Sequence, residues 1–156
     1  MNKVFNVGLI GCGHISETYF RGHDYFNNFR IIKCADINHE NSKKCADTYN
    51  INSCSVDEIL NDSEVDIILN LTIPKAHYEV AKNSLESGKH VYSEKPMAVN
   101  FLDGENLLKL SKSKNLYIGN APDTFLGGGI QKSIELINDN KIGNVRLGNA
   151  IFAYPG

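Results

Sequence analysis

The sequence predicts an α/β fold, a doubly wound parallel sheet with helices on both faces. Three observations carry that expectation. Apolar runs of strand length alternate along the chain with stretches of helical spacing. The first run, Val4 to Ile10, ends in the glycine turn Gly11-Cys12-Gly13, and a helix-like stretch follows. The chemically distinctive residues fall repeatedly at the carboxyl ends of the predicted strands, where open α/β sheets bind ligands.

Strand, glycine turn and helix in that order make a phosphate-binding corner. Gly11 permits the sharp turn. Gly13 has no Cβ, so a pyrophosphate can approach the backbone. The next helix directs its unpaired N–H groups and the positive end of its dipole at the phosphates. Ser16 stands at the third, packing position, where a small residue serves. His14 is expected to lend its backbone N–H rather than its ring. Methyltransferases use similar turns, so the residues downstream decide what the corner holds.

The helix after the turn is expected over 14–25, with Ile15, Tyr19 and Phe20 on one side. Arg30 to Asp36 reads as a second strand ending on an acid, and Asp36 lies 20 residues beyond Ser16. A carboxylate at that place accepts hydrogen bonds from adenosine ribose hydroxyls and repels a 2′-phosphate, which favours NAD over NADP. A solvated strand-end aspartate is the plain alternative. A helix is expected over 39–49, a weak strand at 51–54, and a short helix over 56–62 opened by a Ser55/Glu58 capping box. Val65 to Leu71 reads as a buried strand delivering Thr72-Ile73-Pro74, with Thr72 as cap and Pro74 in the first turn of a helix over 75–87. Ala76, Val80, Ala81 and Leu85 form its apolar side, and Gly88 stops it. Residues 89–93 form a strand reaching Glu94-Lys95-Pro96. Asn100 caps a helix over 101–113 with Leu107, Leu108 and Leu110 inward, and a last strand covers 116–121.

At 156 residues, 42% hydrophobic and 22% charged, the chain has the profile of a soluble globular protein of one ordinary domain with an adequate core. Its net charge of −2 and lack of a basic patch speak against nucleic acid. The apolar runs are far too short to span a membrane. The four cysteines show no C-x-x-C spacing, so they are expected as reduced thiols of a cytoplasmic protein, with no metal.

Glu94-Lys95-Pro96 places a cation with three hydrogen-bond donors where the reacting end of a dinucleotide would lie. Lys95 suits the role of orienting a substrate hydroxyl or stabilising a developing alkoxide. A surface Glu-Lys pair before a turn proline is the alternative. The Lys95–Pro96 bond is a candidate for cis. Together, Gly-Cys-Gly-His-Ile at 11–15, Asp36, Thr-Ile-Pro-Lys-Ala-His at 72–77 and Glu-Lys-Pro at 94–96 resemble the glucose-fructose oxidoreductase/inositol dehydrogenase/MocA (Gfo/Idh/MocA) family over residues 4 to about 145. The resemblance implies a Rossmann-type domain using NAD or NADP, and hydride transfer at a secondary alcohol or carbonyl of a sugar or inositol. It implies that Gly11, Cys12, Gly13, His14 and Ile15 hold the pyrophosphate and Asp36 the ribose. Leu71, Thr72 and Pro74 would line the cleft with His77 beside it, although His77 reads equally as a capping or packing residue. Glu94 would approach the nicotinamide ribose, and Lys95 would stand between cofactor and substrate as the catalytic group.

Family enzymes run to roughly twice this length, with a second α/β domain that binds substrate and mediates oligomerisation. Residues 1–122 are therefore expected as the cofactor domain and 123–156 as a truncated beginning of the second. There a helix is expected at 130–139, with Ile130, Ile134, Leu136 and Ile137 apolar, ended by Gly143 and followed by a strand from Val145 to Tyr154. The family's second catalytic group, a histidine with an aspartate partner, has no counterpart here. The Asn-x-Arg-Phe pattern of many members also lacks its arginine at 119–127. The chain alone is expected to bind NAD weakly with little turnover, and the full-length form to be a homo-oligomer. A non-catalytic nucleotide-binding or regulatory module is the competing reading, and a methyltransferase a third, opposed by Glu-Lys-Pro and the continued β–α alternation.

Overall fold

The computed structural model of the chain describes residues 3–153, apart from Asp24, Asp123 and Phe152. The chain divides into two compact units, Met1–Ala121 and Pro122–Gly156.

The first unit alternates strands and helices in chain order: β1 (Phe5–Ile10), α1 (Ser16–His23), β2 (Phe29–Ala35), α2 (His39–Tyr49), β3 (Asn52–Ser53), α3 (Val56–Asn61), β4 (Ile67–Asn70), α4 (Pro74–Glu86), β5 (His90–Ser93), α5 (Phe101–Ser113) and β6 (Ile118–Asn120). The strands form one six-stranded sheet in the order β3-β2-β1-β4-β5-β6, and every pair is parallel. The chain builds outward from β1 to β3, returns to lay β4 beside β1, and builds outward the other way. The direction of winding therefore reverses between β1 and β4, and a crevice opens there at the carboxyl ends of the strands. This is the Rossmann-type doubly wound sheet that the alternation predicts.

Burial follows the strand period. Val7 and Leu9 of β1 pack with Phe20 of α1 and Cys45 and Ala46 of α2 on one face. Ile10 packs with Ile59 and Leu60 of α3, Ile68 of β4 and the flank of Val80 on the other. Ala81 and Leu85 of α4 meet Val91 and Leu107 in a third cluster, which joins α5 to the sheet. Gly8 lets α3 come close, since a Cβ there would meet the Ile59 side chain at 2.6 Å.

Local signals set most boundaries. Asn38 caps α2 through its side chain, and Asn50, with φ 53°, closes it in the left-handed conformation. The Ser55/Glu58 capping box of α3 is present in both directions. Asn100 caps α5 by accepting from the Asp103 N–H. Two expectations are corrected here. Thr72 does not cap α4: the N-cap is Ile73, without a side-chain bond, because the Thr72 hydroxyl is already committed to Asn70 and Pro74 opens the helix. Leu108 is exposed, since α5 lays only a narrow stripe centred on Leu107 against the sheet.

The second unit holds a 3-10 turn (Thr124–Leu126) and α6 (Gly128–Asn138). Helix α6 ends earlier than Gly143. Asn140, with φ 57°, takes the left-handed position, and the Lys141 N–H returns to the Leu136 carbonyl. No strand forms over 145–151, where the chain makes no ladder among the described residues; a strand exists only as one side of a pair. Phe152 and Tyr154 lie outside the described residues. Ile130, Ile134 and Ile137 recur along one side of α6 and are exposed. No helix among the described residues is long and apolar enough to cross a membrane.

Candidate functional site

The expected site residues of the glycine turn, Asp36, the β4–α4 connection and the Glu-Lys-Pro turn all lie at the carboxyl edge of the sheet, at the ends of β1, β2, β4 and β5. At the end of β1, Gly11 adopts φ +102°, and an added Cβ would sit 2.6 Å from the Leu71 carbonyl. The glycine is thus required twice, by its own backbone angle and by the β4–α4 connection crossing beside it. Gly13 differs: nothing lies within 4 Å of where its Cβ would be. The open space beside Gly13 is room for a group from outside the chain. Ser16 is buried, and its hydroxyl donates to the Gly13 carbonyl at 2.7 Å, closing the turn against α1. His14 and Ile15 are exposed at the mouth.

Asp36 follows the last residue of β2. Its Oδ2 accepts from the Cys12 N–H at 2.7 Å and its Oδ1 from the Asn38 N–H at 2.8 Å. Each carboxylate oxygen has a second lone pair, so the group can still accept from a ligand. The same side chain fixes the glycine turn and presents negative charge beside it. Ile37, next in the chain, is fully exposed, as Ile73 largely is across the crevice. The spacing argument passed over both. An isoleucine directly after a strand-end acid, in a loop with no core to fill, was the available signal.

On the far side of the crevice, Asn70 is completely buried at the end of β4. Its amide donates to the His77 carbonyl and the Ser93 hydroxyl, and its Oδ1 accepts from the Thr72 hydroxyl at 2.7 Å. His77, expected beside the cofactor, is 1% exposed. Its Nδ1 lies 2.5 Å from the Pro96 carbonyl and its Nε2 2.9 Å from the Thr72 carbonyl. That leaves the ring no nitrogen for a ligand, and its place is that of a brace between the β4–α4 connection and the Glu-Lys-Pro turn. Leu71 is buried, whereas Thr72 and Pro74 reach the surface of the crevice.

The Lys95–Pro96 bond is cis. Glu94 accepts from the Tyr19 hydroxyl at 2.8 Å through Oε1, and its backbone N–H donates to the Asn70 carbonyl. The Asn120 amide donates to the carbonyls of both Ser93 and Glu94. Tyr19 and Asn120 were not foreseen as supports, since they reach Glu94 from distant elements. Lys95 is exposed, and its ammonium has no partner among the described residues of the first unit.

A further cluster was invisible in the spacing. Cys12 of the turn, Cys34 of β2 and Cys45 of α2 bring their sulfurs within 4.8 Å of one another. Hydrogen bonding between Cys12 and Cys34 pushes the Cys12 thiol up and the Cys34 thiol down. Burial, with the Cys34 sulfur adding to it, pushes Cys45 up to about 11.

A glycine turn at a helix N-terminus, an acid ending the second strand and a crevice at the reversal of winding define a dinucleotide-binding domain of the Rossmann class. Comparison with known proteins narrows this. A model of the Gfo/Idh/MocA oxidoreductase family, NAD-binding Rossmann fold, matches residues 5–121, and the chain belongs to that family. It is similar to inositol 2-dehydrogenase of Azotobacter vinelandii, 28% identical over 107 residues, which cover 66% of this chain and 32% of that protein. Two solved structures are alike in fold. One is the WlbA dehydrogenase from Bordetella pertussis in complex with NADH and UDP-GlcNAcA, with a TM-score of 0.86 at 21% identity, over 92% of this chain and 42% of that one. The other is biliverdin reductase from Synechocystis in complex with biliverdin and NADP+, with a TM-score of 0.75 at 26% identity, over 85% and 42%. The chain spans less than half the length of these relatives.

Proposed function

We propose that residues 1–122 bind NAD in preference to NADP, and that the protein they serve transfers hydride at a secondary alcohol or carbonyl of a sugar, inositol or related polyol. The observation that carries the reading is Asp36, whose carboxylate is fixed by the Cys12 N–H directly beside the glycine turn. A carboxylate so placed accepts from two ribose hydroxyls and repels a 2′-phosphate. The pyrophosphate would rest on the turn from Gly11 to Ile15, where the space beside Gly13 is open. Leu71, Thr72 and Pro74 would line the cleft, and Glu94 would face the nicotinamide ribose. When bound, the nicotinamide supplies the hydride donor or acceptor.

The chain's own work is binding, orientation and charge. Lys95 extends, with no side-chain partner among the described residues, from a turn held by His77, Asn70 and Asn120. Its ammonium donates to the substrate oxygen and stabilises negative charge as an alkoxide develops. An ammonium donor has no lone pair with which to take the substrate proton. We assign that proton to a second group, outside this unit, and expect the isolated chain to bind NAD with little turnover. The named activity of the inositol relative supports the polyol class. Residues 123–156 are read as the start of a substrate and oligomerisation domain, the whole protein as a homo-oligomer, and the free thiols as fitting the cytoplasm.

Fluorescence titration with NADH and NADPH tests the reading. NADH is expected to bind at least ~10-fold more tightly, a difference of about 1.4 kcal/mol, and Asp36→Asn to shrink that preference. Equal affinity, or a preference for NADPH, overturns it.

A further inference from the structure

Beneath the glycine turn, three thiols converge from three separate elements. All are free, Cys34 and Cys45 are buried, and Cys12 is partly exposed. Cys12 and Cys45 also line a cleft of about 430 Å³, with Gly13, Ser16, Lys44 and Thr48, that opens to solvent. The Cys34 thiol points toward the Ser42 carbonyl at 3.3 Å and Cys12 toward the Ala35 carbonyl at 3.6 Å. Neither is a bond that a sulfur could not exchange for a stronger one.

We propose that Cys12, Cys34 and Cys45 form a three-thiolate site for a thiophilic d10 cation, of the class of Zn2+, Cd2+ or Cu+. Thiolates sharing one such ion at a metal–sulfur distance of about 2.3 Å stand about 3.8–4.0 Å apart. Sulfurs already within 4.8 Å of one another need only draw together by about 1 Å. An all-sulfur donor set selects soft metals and rejects Mg2+ and Ca2+. The cleft at Cys12 and Cys45 is the entry path that a metal site needs. On binding, each sulfur places a lone pair on the cation and its thiol proton passes to solvent, so up to three protons are released and no group is oxidised. Cysteine also packs well as a small apolar side chain, and that role alone predicts no metal binding.

The test titrates the reduced chain, in a non-chelating buffer, with Cd2+ alone. An ultraviolet sulfur-to-metal charge-transfer band is expected to saturate at about one equivalent. Cys12→Ser, at the partly exposed position, should weaken binding by more than the roughly 10–100-fold that loss of an outer-shell partner costs. Cys45→Ser should do the same, while Cys54→Ser leaves the titration unchanged. Circular dichroism establishes that each variant is folded. Absence of a band in the folded chain overturns the proposal. So does a titration that Cys12→Ser leaves unaltered, or one that Cys54→Ser weakens equally.

Discussion

A side chain at residue 11 would strike the β4–α4 connection, whereas one at residue 13 would meet only open space. Gly11→Ala should therefore destabilise the domain by roughly 2 kcal/mol or more, combining an unfavourable φ with a clash against rigid backbone. Gly13→Ala should cost under about 1 kcal/mol in stability and act mainly on nucleotide affinity. Urea unfolding and NADH titration of the two variants separate these effects. His77 makes a second case. Its two ring nitrogens lie against the Pro96 and Thr72 carbonyls. His77→Leu removes the ring N–H that one of these carbonyls accepts, and should cost about 1–3 kcal/mol for the acceptor left without its donor, again read by urea unfolding. That a histidine stands five residues after Thr72 was visible in the sequence. What it braces depends on Pro96, 19 residues further along, and no local pattern contains that.

At the scale of elements, the caps were legible because a cap is a contact between residues three apart, as in the Ser55/Glu58 box. Thr72 misled for the same reason: its local pattern suited a cap, but Asn70 competes for its hydroxyl. Ion pairs between elements set a pH dependence. The Lys33 side chain and the Glu64 N–H hold Asp62 below the usual carboxylate range. Asp66, which burial alone would raise, is held down by Lys3 and the Asn6 N–H. Glu58 is lowered by the Ser55 N–H and hydroxyl. A carboxyl lowered in the folded state contributes stability above its unfolded pKa, and loses that contribution as pH falls through the folded value. The melting temperature should therefore stay level from about pH 7 to 5 and fall below about pH 4. Asp62→Asn should flatten part of that fall. Differential scanning calorimetry across this range checks both.

At the scale of the whole molecule, the family match ends at residue 121, where the first compact unit ends. The proposed cofactor-binding residues and the proposed substrate-side lysine then belong to one unit, and their effects should separate. In the whole protein, Lys95→Ala is expected to leave NADH affinity within about 3-fold, since its side chain makes no hydrogen bond to the glycine turn among the described residues, and to lower turnover by ~100-fold or more. Binding by fluorescence and rate by absorbance of NADH distinguish the two. The sequence alone determined the alternation of strands and helices, the glycine turn between β1 and α1, the strand-end acid and the Glu-Lys-Pro turn. Each is a property of contiguous residues, set by a period or a fixed spacing. Only the tertiary structure decided that Gly11 makes way for Leu71, that His77 and Asn70 tie two loops together, and that Cys12, Cys34 and Cys45 meet. Those contacts join residues far apart in the chain, and which of them become neighbours follows from strand order and register.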